Sequence, residues 1–237
     1  MSYYRTKMNN ELIEFFKKFF MDLANDNLDN YHELLTFCKN MINETLEKNK
    51  PIIHILGNGL NGKSTLMRVL RMLQDKKMVS IPKYGLSLSF FSNIYHDDLR
   101  YIEMADVEHN DIKKIAGTVK EMVGGDTIYI RKLYKMPETV KPNLKFIFVT
   151  NYAIDLDAGF KHRTKTIKME ALFDNVHKQQ NVNIFDELIM HRDQLKKFIL
   201  NYGTDEYISY SIDQPLKDNK LKTNEDIDDE ICISITI

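Results

Sequence analysis

Leu12, Phe15, Phe16, Phe19, Phe20 and Leu23 recur at spacings of three and four, the period of one apolar face of an α-helix. Asn and Asp residues between 25 and 30 interrupt the pattern, and Tyr31, Leu34, Leu35, Cys38, Met41, Ile42 and Leu46 resume it. Residues 9–49 are therefore expected to form two helices, whose aromatic stripe reads as core or as a subunit contact. The period then changes. Ile52–Leu56 is a continuous apolar run of strand length, and Leu66, Met67, Val69, Leu70 and Leu73 return to helical spacing. Further strand-like runs at 77–81, 99–106, 143–150 and 165–169 alternate with helical or mixed segments, which predicts an α/β domain with a largely parallel sheet. Helical spacing reappears over 176–201, through Ile184, Phe185, Leu188, Ile189, Leu195, Phe198 and Ile199.

The rest is a polar tail. It contains the acidic stretch NEDIDDE and then ICISITI, in which Ile231, Ile233, Ile235 and Ile237 alternate with Cys232, Ser234 and Thr236. That period of two marks a strand, paired within its own subunit, with Tyr207–Ile212 as one partner, or offered to a neighbour. The chain divides into a helical segment 1–49, a core 50–172, a helical segment 173–202 and the tail 203–237, with no internal repeat.

Composition narrows the function classes. With 237 residues, 43% of them hydrophobic, the chain can bury one sizeable core, and a net charge of −1 argues against coating nucleic acid by bulk charge. Any nucleic-acid contact has to be local. The two cysteines, Cys38 and Cys232, are far apart and lack metal-ligand spacing, which fits a reduced compartment. The start carries no signal-peptide pattern and no apolar run approaches the ~18 residues of a membrane span, so a soluble intracellular protein without a membrane partner is expected.

The chemistry concentrates in GNGLNGKST. Gly57, Gly59 and Gly62 fit the dinucleotide fingerprint G-x-G-x-x-G, while Gly57, Gly62, Lys63 and Ser64 fit the phosphate loop G-x-x-x-x-G-K-[ST]. The dinucleotide reading needs an acid at the end of the next strand. That run, Met78–Ile81, ends in Pro82 and Lys83. The triphosphate reading uses every residue: the backbone of Gly57, Asn58, Gly59, Leu60, Asn61 and Gly62 faces the phosphates with Thr65 behind it, Lys63 reaches the outer phosphates, and Ser64 offers a hydroxyl to Mg²⁺. An apolar strand enters the loop and a helix leaves it, as the motif requires.

Hydrolysis also needs an acid at a neighbouring strand end. LRYIEMADVEH supplies Asp106 for the metal side and Glu108 for polarising water, with Glu103 the alternative acid. KPNLKFIFVTNY places Asn151 at the end of the most apolar strand, where an amide can orient water or touch the γ-phosphate. Between them, a helical segment ends at Gly124-Gly125-Asp126, an extended run Thr127–Tyr134 follows, and Met136-Pro137-Glu138 turns the chain back, which predicts a β-hairpin. Its Arg131, Lys132, Tyr134 and Lys135 interleave basic groups with an aromatic, as in loops that track a nucleic-acid strand, and also as on ordinary solvated surfaces.

Taken in order, these segments resemble superfamily 3 helicases, in particular the helicase part of viral, phage and plasmid primase-helicases of the poxvirus type. GNGLNGKST resembles that family's first motif, LRYIEMAD its second, MVGGDTIYIRKLYK with KPNLKFIFVTN its hairpin and polar-sensor strand, and AGFKHRTKTIKM its arginine-bearing stretch. The likeness covers roughly residues 13–200. It implies an AAA+-like phosphate-loop NTPase core, ATP and Mg²⁺ as ligands, a homo-oligomeric ring of about six subunits, and single-stranded or forked DNA as the partner. Lys63, Ser64, Asp106 and Asn151 take the family's phosphate, metal and sensing roles, and Arg163 is its candidate arginine finger acting in trans. Two positions depart from the pattern: His162-Arg163 stands where the family has two arginines, and Glu103 interrupts the acidic strand. The length is expected to leave no room for a primase domain, so priming would come from another protein, such as a separate primase or replication protein, or not at all. A packaging or remodelling motor that does not unwind, and a nucleotide-dependent assembly module with little turnover, remain alternatives.

Overall fold

Ile52–Leu56 forms β1, and its first four residues are buried, as a strand covered on both faces of a parallel sheet must be. The computed structural model describes residues 10–82, 87–132, 134–155, 157–173 and 183–204. Within it β1 lies in a five-stranded, all-parallel sheet with β2 (Met78–Ser80), β3 (Tyr101–Ala105), β6 (Lys145–Thr150) and β7 (Thr164–Lys168), in the order β2-β3-β6-β1-β7. β1 runs in register with β6 from Ile52↔Phe146 to Leu56↔Thr150 and with β7 from Ile52↔Thr164 to Leu56↔Lys168. Counting sheet strands alone in chain order, the sequence across the sheet is second, third, fourth, first, fifth, the arrangement of an AAA+-like core. This order removes the dinucleotide reading on geometric grounds. In that fold the strand after the glycines lies beside the first and brings its acid to the ribose; here β2 is the far edge strand, separated from β1 by β3 and β6.

Helices cover the sheet. α1 (Asn10–Leu23) and α2 (Leu28–Ile42) form the expected pair, joined through Asn25 and Asp26, both at φ 57°, a left-handed conformation these two residue types tolerate. The Asn27 side chain caps α2 by accepting from Asn30 N at 3.0 Å. Phe16 and Phe20 of α1 pack on Phe198 of α8 (Arg192–Asn201), with centroids 5.5 and 6.3 Å apart. The Tyr101 hydroxyl donates to Met41 O at 2.8 Å and ties α2 to β3. α3 (Lys63–Gln74) follows the glycine loop, and α5 (His109–Val123) precedes the hairpin. Cys38 is fully buried on α2 and its thiol is pushed up by that burial, so it acts as core and not as a nucleophile. Among the described residues no helix is long and apolar enough to cross a membrane.

Two expectations change. The extended run Thr127–Tyr134 shortens to β4 (Ile128–Ile130), because the chain leaves extended geometry by Tyr134, at φ 59°, and turns with Lys135 N donating to Lys132 O at 3.2 Å. β4 pairs antiparallel with β5 (Glu138–Val140) in a separate two-stranded sheet, and the chain then leads into β6, the strand before Asn151, in the main sheet. Ile128 and Ile130 of β4 still reach the core that holds Phe146 and Phe148. The helical run 176–201 is, in its described part, two helices, α7 (Ile184–Met190) and α8, broken at His191. The remaining helices, α4 (Leu88–Ile94) and α6 (Ala158–His162), are short. The chain divides into one unit ending at Tyr202 and a second from Gly203, and the expected strands at 207–212 and 231–237 lie outside the described residues.

Candidate nucleotide-binding site

Parallel pairing brings the ends of β1, β3, β6 and β7 to one edge of the sheet, and the site assembles there. The glycine loop leaves β1 and enters α3 through Gly62 at φ 80°, whose carbonyl accepts the first helical bond from Leu66 N at 2.9 Å. The amino end of α3 thus turns its unbonded N–H groups toward the loop, an anion-binding geometry. Lys63 Nζ lies inside the loop, 7% exposed, and donates to Gly57 O (2.5 Å), Asn58 O (2.7 Å), Asn61 Oδ1 (2.9 Å) and Asn151 Oδ1 (2.9 Å). Burial holds its ammonium below the ordinary lysine pKa, and the nearby Asp106 carboxylate opposes that shift.

Asn61 is buried between the loop and the exit of β7: its Nδ2 donates to Met169 O at 2.8 Å while its Oδ1 holds Lys63. Two further bonds fasten the same segments, Met169 N to Leu56 O and Phe173 N to Leu60 O, both 2.7 Å. The approach is so close that a Cβ on Gly57 would stand 1.9 Å from Asn61 Nδ2 and 2.2 Å from Met169 O.

A buried polar network sets the other two strand ends. His54, on β1, bonds through Nε2 to Thr150 Oγ1 at 2.8 Å, and Thr150 Oγ1 donates to Tyr152 O at 2.6 Å. Because that hydroxyl proton is committed to Tyr152, His54 carries its proton on Nε2 and donates. Desolvation by burial lowers the His54 pKa to about 4, which keeps the ring neutral. The Tyr152 hydroxyl donates to Val107 O, and Asp106 N donates to Val149 O at 3.0 Å. The turns that carry Asn151 and Asp106 are in this way bonded to each other.

The loop opens into a cleft of about 1270 Å³. Ser64, Thr65, Asp106 and Asn151 line it at the sheet edge, and Phe15 and Phe19 of α1, Phe185 of α7 and Phe173 are among its apolar lining. Arg68 stacks on Phe185, its Cζ 3.8 Å from the ring centroid. Glu103 also lines the cleft; 2% exposed, it pairs with Arg71 of α3, and burial raises its carboxyl pKa against the pull of that guanidinium. Glu108 does not line the cleft: it is the N-cap residue of α5 and exposed.

The remaining candidates lie elsewhere. Arg163 precedes Thr164, the partner of Ile52, so it stands at the amino edge of the sheet, four strand steps or roughly 13 Å from the loop edge. Its Nη1 donates to Gly159 O at 3.0 Å. Lys132 is in the hairpin loop, 3.6 Å from Glu138 and 5.6 Å from the Tyr95 ring centroid, while Arg131, Tyr134 and Lys135 are exposed. Sequence reasoning missed Phe173, Arg68 and Arg71 as cleft residues. Arg68 and Arg71 could have been found, since they follow Ser64 at helical spacing and share its face of α3.

Comparison with known proteins agrees with the architecture. A family described as a family of unknown function (DUF5906) matches residues 55–166. No curated protein matches the chain. Among solved structures, two apo forms of the NrS-1 C-terminal region superpose with TM-scores of 0.61 and 0.62, each at 16% identity over 83% of this chain and 47% and 48% of theirs. JCV helicase superposes with a TM-score of 0.50 at 13% identity, over 90% of this chain and 57% of that one. The chain thus spans about half the length of these structures. At such identities the likeness shows the fold alone, the one these structures share with this chain.

Two predictions follow from the packing. Gly57→Ala should lower stability by about 1–3 kcal/mol, since the clash involves a backbone oxygen that cannot rotate away, and thermal unfolding would read it. In Gly57→Ala/Asn61→Ala the contact with Met169 O remains, so removing the Asn61 amide should not rescue Gly57→Ala. The His54 ring gives a pH dependence. A histidine held at about 4 instead of 6.5 binds its proton more readily when unfolded, so its stabilising share is complete above 6.5 and is lost as pH falls toward 4. At pH 5 the loss is about 2 kcal/mol. Glu103, raised, has the opposite slope, so the measurement is the difference between the parent and His54→Gln stability curves, and equal slopes would refute the assignment.

Proposed function

We propose that this cleft binds and hydrolyses ATP with Mg²⁺, and that the chain is an ATP-dependent nucleic-acid motor of the helicase type, acting as a ring of about six copies on single-stranded or forked DNA during replication of a viral, phage or other mobile element. The observation that carries the reading is the convergence of Lys63, Ser64, Asp106 and Asn151 on one edge of a sheet with AAA+-like order, at the mouth of a cleft large enough for a nucleotide. On binding, Lys63 exchanges the loop oxygens for oxygens of the outer phosphates, and α3 donates backbone N–H groups to the same anion. The base packs on the phenylalanines that line the cleft, Phe15, Phe19, Phe173 and Phe185. Ser64 and Asp106 suit Mg²⁺, since a hydroxyl and a carboxylate are the hard oxygen donors it takes. Bound there, the ion would offset charge developing on the phosphates. Asn151 orients the attacking water. Arg163 stands at the opposite edge of the sheet from its own loop, which leaves it a role on the nucleotide of a neighbouring copy.

A second reading has its own support. The usual second acid is not at the sheet edge of the cleft: Glu103 is engaged by Arg71 and Glu108 lies outside. A site so built suits slow turnover, as in a nucleotide-dependent assembly module. A packaging motor that translocates without unwinding shares the ATP site. ATPase and strand-separation assays on a forked duplex, a blunt duplex and no DNA separate the three.

Lys63→Ala should reduce ATPase at least ~100-fold, the loss expected for an electrostatic donor aimed at the reacting group. Asp106→Asn should lose Mg²⁺-dependent nucleotide binding, whereas Glu108→Gln, whose carboxylate lies outside the cleft, should retain most of the rate; parent-like turnover in Lys63→Ala would sink the phosphate-loop assignment. For Arg163, mixing Arg163→Ala with Lys63→Ala protein should recover part of the activity that neither has alone, because some interfaces in a mixed ring join an intact loop to an intact arginine. No recovery despite verified subunit exchange would refute the trans role.

A further inference from the structure

The ladder between β3 and β6 ends at Ala105↔Val149. Asp106 and Asn151 both lie past it, so strand pairing alone does not fix the one against the other. Two bonds continue across the gap: Asp106 N donates to Val149 O at 3.0 Å, and the Tyr152 hydroxyl donates to Val107 O. The first holds the chain just before the Asp106 side chain and the second just after it. Asp106 sits at φ 53°, a left-handed conformation that needs such support in a residue other than glycine. Tyr152 is itself anchored from behind, its carbonyl accepting from Thr150 Oγ1 at 2.6 Å, while Thr150 O accepts from Gly57 N at 3.2 Å. The phosphate loop, the Asn151 turn and the Asp106 turn are therefore joined at Tyr152. The residue is 37% exposed and does not line the cleft. Phenylalanine would bury the same ring; what tyrosine adds is the hydroxyl.

We infer that Tyr152 is a positioning residue that couples the two halves of the site: through its hydroxyl, a metal ion at Asp106 and a γ-phosphate at Asn151 strengthen each other's binding. The inference rests on the ATP reading above and adds the group that makes its two ligands interdependent. Asn151 Oδ1 accepts from Lys63 at 2.9 Å, a bond given up when Lys63 turns to the phosphates. Asn151 then follows the γ-phosphate, and Tyr152, the next residue, carries that movement to Val107 and so to Asp106. A nucleoside diphosphate has no γ-phosphate and leaves the linkage unused. Such coupling is reciprocal, so it is read equally well from either ligand.

The test is calorimetric titration of the full chain with the hydrolysis-resistant β,γ-imido analogue of ATP and with ADP, each in Mg²⁺ and in excess EDTA. In the parent, Mg²⁺ should tighten the triphosphate at least about fivefold more than it tightens the diphosphate, the lower end of couplings between sites. Tyr152→Phe should bring the two Mg²⁺ factors together while leaving the affinity for ADP as in the parent, a selective change that a merely structural hydroxyl would not produce. If the parent's two factors are equal, if Tyr152→Phe keeps the parent's difference, or if it weakens both nucleotides alike with and without metal, the inference is overturned while the ATP site stands. A Tyr152→Phe chain that fails to fold overturns it too, because the hydroxyl then serves the fold and not the linkage. A parent that binds neither nucleotide overturns the ATP reading, and this inference with it.

Discussion

Parallel pairing of β1 with both β6 and β7 decides where chemistry can occur in this protein. Ile52 opposes Phe146 and Thr164, and Leu56 opposes Thr150 and Lys168, so three consecutive strands deliver their last residues to one line. β3 joins them through Ala105↔Val149. The glycine loop, Asp106, Asn151 and Met169 are the next residues along those strands. Their proximity costs no special loop geometry; it is inherited from the register. A one-residue slip of β6 would turn Thr150 away from His54 and carry Asn151 away from Lys63 at the same time.

The polar groups buried in the sheet serve this edge. His54, Glu103, Thr150 and Asn61 are each at most 2% exposed, a cost that hydrophobic residues at the same positions would avoid. All four are satisfied, and each bond joins two elements: His54 and Thr150 link β1 to β6, Glu103 links β3 to Arg71 on α3, and Asn61 links the loop to the end of β7. Such groups add little net stability but penalise every arrangement that leaves them unpaired. The site is thereby held by the same bonds that make its strands line up.

The sequence made the loop, the two helices before it and the parallel sheet readable, because period and glycine spacing report local geometry. Strand order was not readable from periodicity, since it depends on which crossovers span the sheet; it entered only through resemblance. Glu103 looked like an anomaly in an apolar strand, and its partner Arg71, 32 residues earlier, emerges only when α3 packs over β3. Phe15 and Phe19 share a stripe with Phe16 and Phe20, yet the first two also line the cleft while the others meet Phe198, a division that helical spacing cannot make. The hairpin was placed correctly but drawn too long, because nothing in the run Arg131–Tyr134 announces that a tyrosine will adopt positive φ.

The cations around the cleft bear on how the proposed motor would work. Lys18, Lys63, Arg68 and Arg71 all line it. Lys18 pairs with Asp22, Arg68 stacks on Phe185, and Arg71 is held by Glu103. Lys63 alone of the four is bonded only to neutral oxygens, those of the loop and of the two asparagines. A triphosphate carries several negative charges, and in a partly dry cleft these need compensation close by. On the proposed reading one lysine and one divalent ion supply part of it, and the shortfall falls where charge builds during phosphoryl transfer. A cation brought by another copy would fill that gap only when the ring is closed. Turnover would then depend on assembly by charge balance alone, with no separate regulatory element required.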